Sequence, residues 1–189
     1  MKGKKLFLTS IFVIGLFIAN AQIVSKGDKI ASFGLGLGNT LYSGRYYKST
    51  LPPVSASLEV ILKDGLLDGN AALGVGGYLG ISSYKYTYNN WGWKYSNVIV
   101  GPRGYFHYNF LDKLDTYTGL LLGYNIVSAK EFGTHISGWN YNTSSGGMVW
   151  SWFIGGRYYF NENLAAMVEL GYGISYMNIG IAIKLGKKE

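Results

Sequence analysis

Beyond residue 30, apolar side chains recur at every second position, the period of a strand with one apolar face. Phe33, Leu35 and Leu37 alternate with Gly34, Gly36 and Gly38, and Val54, Ala56, Leu58, Val60 and Leu62 alternate with Ser55, Ser57 and Glu59. The alternation returns six more times, over residues 73–81, 98–108, 120–126, 150–160, 166–172 and 179–185. This predicts eight strands, most near the length that crosses a bilayer at a tilt. The connections also alternate. Those after the first, third and fifth strands are long, at roughly residues 39–52, 83–96 and 128–146, while "KDGLLDGN", "LDK" and "NEN" follow the second, fourth and sixth. An even strand number with long loops at one end and short turns at the other is the pattern of an antiparallel up-and-down transmembrane β-barrel. Such a sheet must close on itself, because lipid leaves no partner for an unpaired backbone group.

Composition decides which face meets lipid. The chain has 28 Gly, 17 Tyr, 9 Phe and 5 Trp, with only 14% charged residues, against about 25% in soluble domains. The bulky side chains share one face of each strand, and glycine with scattered polar groups occupies the other. A soluble lipocalin-like barrel has its apolar face inside, and a soluble surface does not carry so large an apolar area. With 189 residues and no cysteine, the chain is sized for one domain without a disulfide framework or thiolate metal site.

The N-terminus reads "MKGKKLFLTSIFVIGLFIANAQ". Three lysines precede an apolar run from Leu6 to Ile18, and Ala19-Asn20-Ala21 is a small-x-small cleavage signal. The run is shorter than the roughly 20 residues of a membrane span. Residues 1–21 are therefore expected to be a secretory signal peptide, with residues 22–189 forming the barrel domain. Removal of its three lysines leaves 14 basic against 10 acidic residues, a net charge of +4.

The segments "GPRGYFHYNF" followed by "DTYTGLLLGYN", and "GGRYYFNENLAAMVELGYG" followed by "MNIGIAIKL", resemble the small outer-membrane β-barrel proteins of Gram-negative bacteria, the group that includes OmpX and the membrane domain of OmpA. The resemblance covers almost all of the chain after the leader. It implies eight antiparallel strands and both termini in the periplasm. The chain departs from the group's pattern in ending "GKKE", where many members end on an aromatic residue.

"GPRGYF" and "GGRYYF" repeat each other, with Arg103 and Arg157 at equivalent places. By parity both point inward, as do Glu59, Glu169 and Lys184. An eight-stranded barrel is only wide enough for side chains to fill, so charges inside must be paired. A three-residue "NEN" turn sets Phe160 opposite Leu164 and Arg157 opposite Met167, with Glu169 diagonal to Arg157. The expectation is a plug built on Glu59, Arg103, Arg157 and Glu169; the alternative is an ion pathway, making a small low-conductance channel.

Lipid A-modifying enzymes are the competing class, because some small outer-membrane barrels catalyse acyl transfer or deacylation. That chemistry needs a histidine beside a serine, oriented by a carboxylate. His107 points inward with Asn109, not a serine, two residues on; His135 lies in a loop near Ser137. Neither pattern predicts catalysis, and neither a cofactor nor a metal site is expected.

One stretch asks for an exterior role. "SSYKYTYNNWGWKYS" places Tyr84, Tyr86 and Tyr88 before Asn89-Asn90, and Trp91, Trp93 and Tyr95 after it. A two-residue turn at the asparagines pairs Tyr88 with Trp91, Tyr86 with Trp93 and Tyr84 with Tyr95. All six aromatics then share the inward-leaning face, with Lys85, Thr87 and Lys94 on the other. The same register sets Ile81 opposite Val98 and Gly76 opposite Arg103. Cross-strand pairing stiffens such a ribbon, and the same face can stack on an exterior glycan or protein ligand. The exterior loops carry Arg45, Lys48, Lys85, Lys94 and Lys130 against Glu131, and the short turns carry Asp64, Asp68, Asp112, Asp115 and Glu162 against Lys63 and Lys113. Exterior basic charge suits lipopolysaccharide phosphates. The expected partners are outer-membrane lipid and lipopolysaccharide around a monomer, and not nucleic acid. Pro102 lacks a ladder donor, which predicts a bulge there.

Overall fold

The computed structural model describes residues 23–38, 40–42, 46–88, 91–133 and 142–185. The expected signal peptide, Asn89-Asn90, Arg45, His135, Ser137 and the "GKKE" terminus lie outside them. The strands are β1 (Lys29–Leu37), β2 (Tyr47–Leu66), β3 (Ala71–Tyr88), β4 (Trp91–Leu111), β5 (Leu114–Gly133), β6 (Asn142–Tyr159), β7 (Leu164–Gly171) and β8 (Met177–Leu185). Each pairs antiparallel with the next, and β1 pairs with β8, so the sheet closes into an up-and-down barrel of the transmembrane type.

Register follows the sequence pattern closely on one side of the barrel. Tyr88 faces Trp91, Tyr86 faces Trp93, Tyr84 faces Tyr95, Ile81 faces Val98 and Gly76 faces Arg103, without a shift along β3 and β4. The "NEN" turn sets Arg157 opposite Met167, with the Phe160 amide donating to the Leu164 carbonyl.

Strand length departs from expectation. β1, β7 and β8 have 9, 8 and 9 residues, whereas β2 to β6 have 18 to 21. The loops expected at residues 39–52 and 128–146 are partly strand: β2 starts at Tyr47, β5 runs to Gly133 and β6 starts at Asn142. Ser144, Ser145, Gly146 and Gly147 have turn composition, yet they pair with Ser128, Val127, Ile126 and Asn125. A ladder needs only a neighbouring edge, so five strands prolong one another past the apolar zone.

The bulge is not at Pro102. Pro102 faces Gly77 in an unbroken β3–β4 ladder. Toward β5 it falls in the gap between the Val100–Tyr124 and Arg103–Leu121 pairs, which keep one register. The missing donor leaves a hole in the ladder without bending it. The register shifts elsewhere, along β2 at several points, one of them between Leu51 and Val54 across Pro52 and Pro53, and on β4 between Asn109 and Leu111.

The outer face is a continuous apolar girdle. Trp150 is 73% exposed, Phe110 63% and Leu35 61%. Along β4 the outward series runs from Val98 to Phe110. At about 3.4 Å per residue and a tilt of about 45° it is roughly 30 Å tall, enough for the apolar band of such a barrel. The interior is filled in layers. Val24, Ile30, Ile61, Ala72, Tyr159, Ala165 and Ala182 close the short-turn end. Tyr105, Tyr117 and Phe153 pack at mid-height, and Tyr78, Ile99, Leu121 and Ile174, with Leu41 and Val149 against them, fill the outer half.

Close packing makes one glycine indispensable. A Cβ on Gly155 would collide with the Tyr117 ring, whereas one on Gly156, on the outward face, would meet only Leu114 at 3.6 Å. Gly155→Val should cost about 1–3 kcal/mol by overpacking and lower the urea midpoint of the lipid-embedded protein. Gly156→Val should leave it almost unchanged.

Candidate functional site: the charged lumen and the aromatic exterior

Six ionisable side chains meet inside the barrel. Glu59 enters from β2, Arg103 and His107 from β4, Asp115 from β5, Arg157 from β6 and Glu169 from β7. Alternation alone aims them inward, and none is more than 6% exposed. Four form a closed ring. Arg157 Nη2 donates to Glu59 Oε2 at 2.8 Å and Nη1 to Asp115 Oδ2 at 3.3 Å. His107 bridges the other side, Nε2 lying 2.5 Å from Glu59 Oε1 and Nδ1 2.8 Å from Asp115 Oδ1. With both carboxylates ionised, both ring nitrogens donate, which only the imidazolium can do. Two anions and two cations then cancel.

The remaining two form a separate fork. Arg103 Nη1 and Nη2 reach Glu169 Oε2 and Oε1 at 3.0 and 2.9 Å, the bidentate geometry that makes Arg–carboxylate pairs strong. The guanidinium lies between the rings of Tyr78 and Phe153, 4.2 and 4.0 Å from their centroids. Tyr117 links the two assemblies: its hydroxyl donates to Glu169 Oε2 at 3.3 Å, and its ring lies 4.3 Å from the Arg157 guanidinium. Gly74 leaves room for the Glu59 carboxylate, which a Cβ would strike.

All four sequence-predicted lumen residues are therefore present and buried, but one pairing differs. Glu169 pairs with Arg103, not with Arg157, its diagonal neighbour across the β6–β7 ladder. In so narrow a barrel a long side chain reaches across the lumen as easily as along the wall, so wall adjacency does not select the partner. Asp115 also moves, from the short-turn charges to the ring. It shares the inward face of Tyr117 two residues on, and the turn-like composition of "LDKLD" concealed that parity. His107 completes the ring, and its nitrogens face carboxylates rather than a serine hydroxyl. Lys184 closes the inner mouth, donating to the Ile23 carbonyl at 2.5 Å and lying 3.2 Å from Asp28 Oδ2.

At the opposite end the six hairpin aromatics share a face, as their register requires. Three more tyrosines, from the β1–β2 connection and the start of β2, cover part of it. Tyr42 lies 5.2 Å from both Tyr84 and Tyr95, and Tyr47 lies 5.3 Å from Tyr86. Tyr46 meets Tyr86 edge-on at 6.0 Å. Burial pushes the Tyr42 phenol above its ordinary value, against the opposing effect of its hydrogen bond to Asn97. Tyr84 is 2% exposed, whereas Tyr88, at the tip, is 57% exposed. Trp91 and Trp93 meet edge-on at 6.3 Å, and Trp91 Nε1 donates to Glu131. The base of the hairpin is thus a capped stack, while Tyr88 toward the tip is exposed and Trp91 and Trp93 are half-buried. The covering tyrosines were not legible beforehand because "YSGRYYK" carries no alternation long enough to place it. Among the described residues, no group of acidic and histidine side chains has the makings of a metal site.

The ring sets an asymmetric cost. Arg157→Met leaves Glu59 and Asp115 sharing only His107, and should destabilise the barrel by about 3–5 kcal/mol. Glu59→Gln combined with Arg157→Met removes one charge of each sign, so urea unfolding should show the double variant less damaged than the sum of its single variants.

No family model matches the chain, and no curated protein sequence does. Among solved structures, the chain is similar to Ail, the attachment invasion locus protein of Yersinia pestis, solved in complex with the heparin analogue sucrose octasulfate. The identity is 10%, the TM-score 0.48, and the match covers 84% of this chain and 96% of that one. A second structure of Ail matches at 14% identity and a TM-score of 0.42. The N-terminal β-barrel domain of Pseudomonas aeruginosa OprF matches at 14% identity and a TM-score of 0.47, covering 85% of this chain and 98% of that domain.

Proposed function

We propose that this protein is a non-enzymatic, monomeric barrel of the Gram-negative outer membrane, sealed along its axis and acting through its exterior end. The membrane setting rests on the apolar girdle, which water would not tolerate, and on the leader-like N-terminus. The observation that carries the sealed reading is the closed ring of Glu59, His107, Asp115 and Arg157 across the lumen. An ion crossing the barrel would have to displace charges that already satisfy one another. Apolar layers lie on both sides of the ring. The mutual engagement of both His107 nitrogens also leaves it no free base for acyl chemistry.

In this reading the interaction surface is the hairpin tip. The tyrosines at its base are committed to each other, whereas Tyr88 is exposed and, with the half-buried Trp91 and Trp93 beside it, makes the part of the aromatic face nearest a partner. Aromatic faces of this kind stack on sugar rings or accept apolar side chains of a protein.

Two experiments test the two halves. In planar bilayers the purified barrel should show no large, stable conductance, and a steady porin-like current would refute the seal. Trp91→Ala with Trp93→Ala should abolish binding to glycan arrays or host surfaces with the melting temperature unchanged. If that variant keeps every interaction of the parent, the aromatics only stiffen the ribbon.

A further inference from the structure

Four lysines stand side by side on the outward wall. Lys48 on β2 pairs in register with Lys85 on β3, Lys85 with Lys94 on β4, and Lys94 with Lys130 on β5. Lys48, Lys94 and Lys130 are exposed, while Lys85 lies 4.3 Å from the centroid of the Phe132 ring. Like charges directly opposite one another oppose strand pairing, and here three such contacts adjoin. Among the described residues no carboxylate meets any of the four: Glu131 faces the other way, opposite Trp93. At a strand spacing of about 4.8 Å, the row is about 14 Å wide.

Its position on the wall is graded. The next outward row toward the membrane is hydroxyl-bearing: Ser83 pairs with Ser96, Ser96 with Ser128 and Ser128 with Ser144. Ser83 is buried, its Oγ donating to the Tyr95 carbonyl at 3.0 Å and lying 3.3 Å from Ser96 Oγ, so Ser96, Ser128 and Ser144 are the accessible hydroxyls of the row. One row further in, Val54, Ile81, Val98 and Ile126 begin the girdle. Lys94 is thus four residues beyond Val98, which at about 3.4 Å per residue and a 45° tilt is about 10 Å above the apolar edge. Long ammonium-tipped chains there can bend back toward the interface. Apolar, hydroxyl and ammonium rows in that order match the acyl, sugar and phosphate parts of an acylated phosphoglycolipid.

We propose that Lys48, Lys85, Lys94 and Lys130 form a phosphate-binding row for outer-leaflet lipopolysaccharide on the flank of the barrel. This deepens, and rests on, the outer-membrane reading; it is separate from the hairpin tip, whose aromatics lie on the opposite face of the same strands. The occupant is a membrane lipid rather than a soluble polyanion because the row faces outward, directly above the girdle. The bound anion offsets the repulsion that the register imposes.

The test is lipopolysaccharide retention. The leader-free barrel is inserted into phosphatidylcholine bilayers containing either lipopolysaccharide or its dephosphorylated form, extracted, and assayed for glycolipid per barrel. The parent should retain the phosphorylated form. Lys48→Gln, Lys85→Gln, Lys94→Gln and Lys130→Gln combined should retain at least about a hundred-fold less, given roughly five-fold per lysine near an anionic surface. Lys63→Gln with Lys113→Gln, at the other end, should match the parent. High salt should weaken retention, and each variant should keep the heat-dependent gel mobility of a folded barrel. Equal retention by the quadruple variant, or of the dephosphorylated lipid by the parent, overturns the row. So does binding of soluble heparin through these lysines without discrimination between the lipids. A parent that does not insert into phosphatidylcholine fails the barrel reading itself, whereas insertion without discrimination removes only this inference.

Discussion

The interior of an eight-stranded barrel is just wide enough for side chains to fill it, so a charge buried there must find its counter-charge within the same narrow column. That constraint organises the interior. Arg157 takes two carboxylates, His107 takes the same two from the other side, and Arg103 takes the third by a fork. The bare glycines opposite, such as Gly74 and Gly155, exist because these groups and the rings stacked on them need the volume. The apolar layers at each end hold the charges in surroundings where their mutual attraction is strong. Loss of one partner is therefore worse than loss of a pair.

The strands, their number, their outward faces and the register of β3 with β4 were legible in the sequence, because the alternation is long and the turn residues fix its phase. What could not be read follows from geometry. Residues such as Glu169 and Arg103 sit on strands β7 and β4, which do not touch along the wall, so their pairing is a property of the closed cylinder. The exterior extension of β2, β5 and β6 was hidden because, without lipid on one side, their polar ends lose the apolar half of the pattern. Pro102 misled for a different reason. A proline bends a ladder only if its missing donor forces a shift, and at Pro102 the two flanking pairs keep one register.

The wall and the lumen divide the chemistry by parity. Inward positions carry the charges that cancel, and outward positions above the girdle carry charges of one sign with no carboxylate partner among the described residues. The hairpin shows the division within a few residues: Tyr84 and Tyr86 turn toward the axis and Lys85 between them turns away. A single slip of register would exchange the two sets, placing ammonium groups in the aromatic stack and tyrosines at the interface. The unshifted β3–β4 ladder is what keeps them apart.

The ring also bears on how the barrel can be assembled. Its members arrive on four different strands, and its longest bond joins residues 98 apart in the chain. A sheet that has laid down β2 to β5 holds Glu59, His107 and Asp115 together with an anion in excess, and only β6 delivers Arg157. Arg103 likewise waits for Glu169 on β7, and Lys184 on β8 finds Asp28 only when the seam with β1 shuts. Each late strand thus carries the counter-ion to a charge already in place. A barrel closed with a strand missing or displaced by one position would leave an uncompensated charge, so the charge pairing is complete only with all eight strands in this order and register.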